Sequence, residues 1–265
     1  MSRVRTRRGE LFYTDTGVGS STVLLVHGWG GNSQEWCPVI ARLAPAFRVI
    51  AVDLAGHGHS SPARAFPREL AADLSDLLDQ AGLQGVTAVG HSMGGQVVTA
   101  LAVEHPGAVS ALVVIDPAYG AAGDEVKQLP QRYEAVARHG WPAALEVLND
   151  AFAIATPARV RVFHEREMQA VTSEALASAY AGMFLAPDAF GARPATERYL
   201  RLCTVPTLAL ITSPDVAAWI AGHLHGAGSE VLTWPDNGHY LHEEQPEQVA
   251  CAIVNWLKNA TGGIR

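Results

Sequence analysis

Residues 86–101, VTAVGHSMGGQVVTAL, decide how the rest of the chain is interpreted. Residues 86–90 are mostly apolar and β-favouring, as in a buried strand, and a helix-like run follows directly. Between them lies Gly90-His91-Ser92-Met93-Gly94, the Gly-x-Ser-x-Gly pattern of a sharp strand-to-helix turn. Such a turn holds the serine oxygen at a helix N-terminus, where free amides favour negative charge. The segment therefore predicts that Ser92 is a nucleophile.

Strand-like and helix-like segments alternate on both sides of this turn. Short apolar runs predict strands at 10–14, 22–26, 47–52, 108–115, 207–211 and 230–234. Amphipathic periodicity predicts helices at 67–80 and 246–258, among others. This alternation is typical of an α/β fold, with a mostly parallel central sheet flanked by helices.

The alternation stops between Tyr119 and Leu202, where helix-like stretches are separated by prolines and no strand is convincing. We therefore predict a core formed by residues 1–118 and 203–265, and a helical cap formed by residues 119–202. The cap is expected to lie over the carboxyl edge of the sheet.

The bulk composition excludes several classes of protein. The chain has 265 residues, 48% of them hydrophobic, and a formal net charge of −7, which does not favour nucleic acid as a partner. No apolar run approaches the roughly 20 residues of a membrane span, so no membrane association is expected. The arginine-rich N-terminus is followed by no signal-peptide core, and it predicts a frayed or edge-strand segment.

The cysteines and the lack of a metal-ligand sequence pattern limit the kinds of chemistry that the chain is expected to perform. Cys37, Cys203 and Cys251 are odd in number and widely spaced, which predicts buried free thiols in a reducing, cytoplasmic protein. Neither a metal-ligand pattern nor a dinucleotide-binding loop is present, so no cofactor and no metal are expected. The expected partner is a small-molecule substrate, and the chain is expected to be a monomer or homodimer.

Four motifs in order resemble the α/β-hydrolase fold superfamily, here a serine hydrolase with a helical cap domain. They are His27-Gly28-Trp29, Asp53-x-x-Gly56-x-Gly58-x-Ser60, Gly90-His91-Ser92-Met93-Gly94-Gly95 and Gly238-His239-Tyr240-x-His242-x-Glu244-x-Pro246. The resemblance runs nearly from end to end of the chain. It implies the fold, but a fold alone does not fix the reaction.

The resemblance also implies roles for individual residues. His239, after the last strand, would be the base that takes the Ser92 proton. The backbone amides of Trp29 and Met93 would form the oxyanion hole. Among the other histidines, His91 is expected to pack and His242 to hydrogen-bond its local turn.

Two carboxylates compete for the role of the triad acid. Asp215 follows the seventh strand in PTLALITSPD, the usual place in the family, and we prefer it. However, the family's habitual glycine three residues earlier is Thr212 here, and Ser213-Pro214-Asp215 also makes a good helix start. Asp116 follows the sixth strand, which carries the acid in some relatives, and remains the alternative.

The predicted cap supplies aromatic and thioether side chains for an apolar pocket. The residues expected to bind substrate are Gly28, Trp141, Phe152, Met183 and Phe184. We therefore predict hydrolysis of an ester or lactone bond in a medium-sized, largely apolar molecule, through a Ser-His-Asp triad and an acyl-enzyme. The alternatives are hydrolysis of a carbon–carbon bond in a ring-fission diketone, and cofactor-free oxygenation by the His-Asp pair. A non-catalytic receptor is disfavoured because Ser92 and His239 are both present.

Overall fold

An eight-stranded sheet forms the centre of the molecule, within the residues that the computed structural model describes, 2–149, 151–154 and 156–260. All six strands expected from apolar runs are present within a residue or two of the predicted bounds, and so is the strand of the Ser92 turn. The strands are β1 (Ser2–Thr6), β2 (Gly9–Asp15), β3 (Thr22–Val26), β4 (Arg48–Asp53), β5 (Val86–His91), β6 (Val109–Ile115), β7 (Thr207–Ile211) and β8 (Glu230–Thr233).

The order of the strands fixes where a site can form. The sheet runs β1-β2-β4-β3-β5-β6-β7-β8, and the pairs from β4 to β8 are parallel. Among the described strands, only the pairs β1–β2 and β2–β4 are antiparallel, so the predicted mostly parallel sheet is confirmed. The arginine-rich N-terminus forms the edge strand β1. Because β4 and β5 lie on opposite sides of β3, the loops after β3 and β5 diverge and leave a crevice at the carboxyl edge.

Helices cover both faces of this sheet. Leu24 and Leu25, neighbours in β3, belong to separate apolar clusters because successive side chains in a strand point to opposite faces. One cluster contains residues of α2 (Pro67–Gln80), α3 (Met93–Glu104) and α9 (Pro214–Ala221). The other contains residues of α1 (Cys37–Leu43), α10 (Leu241–Glu244) and α11 (Pro246–Ala260). A short 3-10 turn, Ser33–Trp36, precedes α1.

Between β6 and β7 the described chain is helical, as the loss of alternation predicts. The helices are α4 (Asp124–His139), α5 (Trp141–Asn149), α6 (Ala158–Ala170), α7 (Ser173–Phe184) and α8 (Arg193–Leu200). We call residues 119–202 the helical insertion; their division from the core as a domain stays a prediction. Leu129, Leu176 and Met183 of the insertion join the apolar cluster of α2 and α3. The insertion therefore packs on the sheet side that carries the head of α3.

Two of the three cysteines correct a prediction. Cys203 is buried, but Cys37 and Cys251 are exposed, on α1 and α11 respectively. Both positions lie on the outer surface of the helices that cover the second face, so they are not part of the core. Among the described residues, every helix is too short or too polar to cross a bilayer.

Candidate active site

Ser92 occupies a strained turn at the carboxyl end of β5. Its backbone angles are φ 50° and ψ −117°, a combination that residues other than glycine rarely adopt. A Cβ atom at Gly94 would lie 2.3 Å from the carbonyl oxygen of Val26, so only glycine fits there. The Ser92 amide donates to the carbonyl of Ile115 at 3.0 Å, which ties the turn to β6. The strain thus holds one serine at the head of α3.

The loop after β3 comes close to this turn. A Cβ atom at Gly28 would lie 2.8 Å from His91 Nδ1 and 3.2 Å from Ser92 Cβ, so glycine permits the approach. The indole of Trp29 is buried and donates to the carbonyl of Leu176 at 3.0 Å, which anchors the ring on α7. The Met93 amide begins α3 and has no carbonyl partner within that helix. Both predicted oxyanion donors therefore belong to segments that border Ser92.

His239 is held by a carboxylate that follows β6. Its Nδ1 lies 2.6 Å from Oδ2 of Asp116. A carboxylate only accepts, so Nδ1 carries the hydrogen and the neutral ring keeps Nε2 free to accept a proton. The other oxygen of Asp116 accepts from the amide of Thr212 at 3.0 Å and from its hydroxyl at 2.9 Å. Burial raises the pKa of Asp116, but the donors His239 and Thr212 outweigh it and hold that pKa below its usual 3.8. Asp116 is therefore ionised at neutral pH.

This arrangement corrects the preference for Asp215. Asp215 is exposed in the first turn of α9, where the Ser213 hydroxyl caps the helix by accepting from the amide of Val216. The carboxyl end of β7 instead brings Thr212 against Asp116, and the chain then turns away into α9. Ser213-Pro214-Asp215 is thus the helix start that the sequence also allowed. Thr212, which departs from the family's glycine, donates to Asp116 from both its amide and its hydroxyl.

Three hydrogen bonds fix the backbone around His239. The amide of Gly238 donates to Oε2 of Glu244 at 2.8 Å, and the amide of His239 donates to the carbonyl of Ala151 at 3.1 Å. The carbonyl of His239 accepts from Nε2 of His91 at 3.0 Å. His91 is buried, as expected of a packing residue, but it also bonds the loop that carries His239. The loop is therefore held from the core and from the helical insertion together.

Ser92 and His239 open onto one cavity of about 180 Å³. Its walls combine Trp29 and Ala118 from the core with residues of the insertion, which are mostly apolar. Arg132 and Glu125 of α4 are the charged members among the described lining residues. The apolar members from the insertion are Leu129, Val147, Leu148, Ala151, Met183 and Phe184, with the ring of Tyr180. Met183 and Phe184, which the sequence predicts to bind substrate, both line this cavity.

The other expected pocket residues lie elsewhere. Trp141 is 39% exposed at the start of α5 and is not among the residues that line the cavity. Phe152 stacks on Tyr240 at 5.2 Å and lies under the guanidinium of Arg161, so it packs against the His239 loop. Gly28 lies against His91 and Ser92 and is not a lining residue. The sequence shows that Trp141 and Phe152 are apolar and that Gly28 is in a glycine-rich loop. It does not show whether each residue lines the pocket or packs against a neighbouring segment.

The comparisons with known proteins agree with this geometry. The model of the Alpha/beta hydrolase family matches residues 23–252. A thermophilic esterase from Thermogutta terrifontis, solved with malate bound, is similar with a TM-score of 0.84 at 27% identity, covering 98% of this chain and 99% of that chain. An enol-lactonase from Burkholderia xenovorans gives a TM-score of 0.78 at 22% identity, covering 97% and 100%, which shows the fold alone.

Curated relatives match a smaller part of the chain. A pimeloyl-(acyl-carrier protein) methyl ester esterase from Sodalis glossinidius is 35% identical over 130 residues, 48% of this chain and 49% of that protein. The chain spans about half or less of the length of the first curated relatives that it matches.

Proposed function

The chain belongs to the alpha/beta hydrolase family, and on that premise we propose that it is a serine hydrolase that cleaves an ester or lactone bond through an acyl-enzyme. The observation that carries the proposal is the 2.6 Å contact between His239 Nδ1 and an ionised Asp116, at the wall of the cavity that also contains Ser92. The names of the relatives, which include esterases and an enol-lactonase, support the same reaction class.

Each residue has a distinct role in this proposal. The Nε2 atom of His239 takes the proton as Ser92 Oγ attacks the substrate carbonyl, and later returns it to the leaving oxygen. The Asp116 carboxylate keeps Nδ1 protonated and stabilises the imidazolium that forms. The amides of Trp29 and Met93 are proposed to bind the oxyanion of the tetrahedral intermediate. Water then attacks the acyl-enzyme by the same steps in reverse, and the acid product leaves.

The cavity suggests the size and polarity of the substrate. Its 180 Å³ lies below the roughly 300–1,000 Å³ of drug-sized pockets, which favours a short acyl or leaving group over a long chain. Side chains of the helical insertion form most of the wall and are mainly apolar, so a largely apolar group is favoured next to Ser92. The proposed substrate is therefore a small-to-medium apolar ester or lactone, and the helical insertion acts as its cap.

A series of p-nitrophenyl esters from acetate to octanoate tests this proposal. We expect hydrolysis to be fastest for a short acyl chain. Ser92→Ala should lower kcat on the order of 10⁶-fold, as removal of the serine does in other triads, while Ser110→Ala, an exposed serine of β6, should change it less than about two-fold. Unchanged turnover in Ser92→Ala would contradict an acyl-enzyme and would favour chemistry that uses only the His-Asp pair.

A further inference from the structure

A second group of ionisable side chains lies behind the catalytic residues, away from the cavity. It consists of Glu35, His91 and His242, which are between 0% and 1% exposed, and we call it the buried cluster. Glu35 follows the loop of Trp29, His91 precedes Ser92, and His242 comes three residues after His239. The segments that carry Trp29, Ser92 and His239 therefore contribute one member each, whereas the segment of Asp116 contributes none. The sequence pattern gives no indication of Glu35, and it predicts only a local hydrogen bond for His242.

One oxygen of Glu35 joins all three segments. Its Oε1 accepts from the backbone amide of Gly28 at 3.3 Å, in the loop that precedes Trp29. The same oxygen lies 3.2 Å from Nε2 of His242 and 3.4 Å from Nδ1 of His91. The loop after β3, the end of β5 and the start of α10 thus meet at a single carboxylate.

His91 extends this junction to the base itself. Because a carbonyl only accepts, Nε2 of His91 carries the hydrogen in its 3.0 Å bond to the backbone of His239. The imidazole ring of His91 also lies 4.7 Å from that of His239 and 4.5 Å from that of His242, centroid to centroid. Glu35 is therefore linked to His239 through one intervening side chain, and it touches neither the cavity nor Ser92.

The charge of this cluster is maintained at a cost. Burial raises the pKa of Glu35, but His242 and His91 outweigh it and hold that pKa well below its usual range. Among the described residues, Oε2 of Glu35, Nδ1 of His91 and both ring nitrogens of His242 have no hydrogen-bond partner, so the two rings lie beside the carboxylate without donating to it. Burial lowers the pKa of His91 to about 3, so this ring is neutral, and an ionised buried carboxylate beside it costs stability. Unsatisfied buried groups persist where function requires them.

We infer that Glu35 is a positioning residue that sets the placement of the oxyanion loop relative to His239. The inference rests on the proposed function of the site. Residues 27–31 and His239 leave the sheet from different strands, so their separation depends on what joins them beyond the sheet edge. A displacement of about 1 Å of a catalytic group can cost about 100-fold in rate. Glu35 therefore acts on turnover and leaves the apolar contacts that bind substrate intact.

The Glu35→Gln variant tests this inference, because it keeps the shape of the side chain and removes its charge. A fluorophosphonate first titrates the fraction of chains with a reactive Ser92; kcat per titrated site and KM are then measured with p-nitrophenyl butyrate. We expect kcat per titrated site to fall about 10- to 100-fold with KM within about two-fold. If this variant does not fold, His242→Gln removes one arm of the junction and should give the same split with a smaller loss.

Asp73→Asn is the matched control. Asp73 is also 1% exposed and pairs with Arg8 at 2.6 Å, outside the cavity, so its loss should lower Tm without changing kcat per titrated site. A Glu35→Gln chain that behaves like this control would overturn the inference and leave the proposed function standing. Stoichiometric zinc retained by the wild-type chain after dialysis would also overturn it, since the cluster would then be a metal centre. A wild-type chain that neither labels nor hydrolyses esters would overturn both proposals.

Discussion

Residues 239–243 take part in two histidine–carboxyl pairs, one at each end. The two carboxyl groups differ in charge at neutral pH. At one end His239 contacts Asp116, whose pKa is below its usual value. At the other end His164 of α6 contacts Glu243 of α10. Burial raises the pKa of Glu243 to about 8 and lowers the pKa of His164 to about 4. At neutral pH the first carboxyl is ionised, whereas the second pair is neutral on both sides.

The difference comes from the donors around each carboxyl. Asp116 accepts from the amide and the hydroxyl of Thr212 as well as from His239. Glu243 has His164 as its one described side-chain partner. An anionic carboxylate stabilises an imidazolium, as the proposed reaction requires, whereas a neutral carboxyl donates to a neutral ring and fastens α6 to α10. A histidine and a carboxyl group thus form the proposed catalytic pair in one place and a neutral contact between two helices in the other.

The largest expected effect separates the two pairs by turnover. Asp116→Asn removes the charge that stabilises the imidazolium and allows the wrong ring tautomer, so kcat should fall about 10⁴-fold. Glu243→Gln keeps a neutral side chain that can donate to His164, and kcat should stay within about three-fold. Steady-state hydrolysis of a p-nitrophenyl ester by purified chains measures both. Similar losses in the two variants would mean that the pairs are not distinct in function.

A smaller loss of kcat is expected when Asp116 loses one of its hydrogen-bond donors, so that its surroundings become more like those of Glu243. Thr212→Val removes the hydroxyl donor at 2.9 Å and leaves the amide donor at 3.0 Å in place. A hydrogen bond to a charged group contributes about 1.5–3 kcal/mol, part of which falls on the ionised form of Asp116, so kcat should fall about 10-fold. Thr207→Val, at the start of the strand that Thr212 follows, is the control. An unchanged kcat for Thr212→Val would show that the amide alone holds the acid.

The two carboxyls should also respond to pH with opposite sign. The folded chain keeps the Glu243 proton up to about pH 8, while the unfolded chain loses it near 4.5, so this group makes stability fall as pH rises across that window. Glu243→Gln should therefore gain Tm relative to the wild type at pH 8 compared with pH 5. Asp116 has a lowered pKa, and the stability that it contributes is present above 3.8 and lost as pH falls through its folded pKa. Thermal melts of the wild type, Glu243→Gln and Asp116→Asn from pH 3 to 9 measure these trends. If the Tm of both variants changed with pH in parallel with the wild type, the two trends would be refuted.

The smallest effect is expected at the acid that the sequence favoured. Asp215→Asn should change kcat by less than about two-fold, because the exposed side chain lies in the first turn of α9. Loss of its charge near the helix N-terminus should cost only about 0.3–1 kcal/mol of stability. A melting curve and a single kinetic assay are sufficient, and a loss of several orders of magnitude in kcat would restore Asp215 as the acid.

Local patterns were sufficient for the sheet and for part of the site. The apolar runs predicted the strands because buried parallel strands are continuous hydrophobic segments, and the Gly-x-Ser-x-Gly turn placed Ser92 at a strand end. The choice between Asp116 and Asp215 could not be made in this way. Both follow strands that end at the same edge, and only the turn into α9 directs one away from His239.

The buried cluster was beyond local patterns for a different reason. Glu35, His91 and His242 are distant in sequence, and each stands beside a motif that already had an interpretation. Nothing in their own segments indicates that they meet, because the contact depends on three loops converging behind one sheet edge. For the same reason, only some of the predicted pocket residues line the cavity: Met183 reaches it, whereas Phe152 packs on Tyr240.

The most direct test of the account is the rate at which a fluorophosphonate labels the chain, with the modified peptide identified by mass spectrometry. In the wild type and in Asp215→Asn, we expect rapid labelling at equal rates, and only on the peptide that contains Ser92. In Asp116→Asn the same peptide should be labelled at least about 10³-fold more slowly, because the ring of His239 no longer has its charged partner. Rapid labelling of Asp116→Asn with slow labelling of Asp215→Asn, or modification of a residue other than Ser92, would contradict a site built from Ser92, His239 and Asp116.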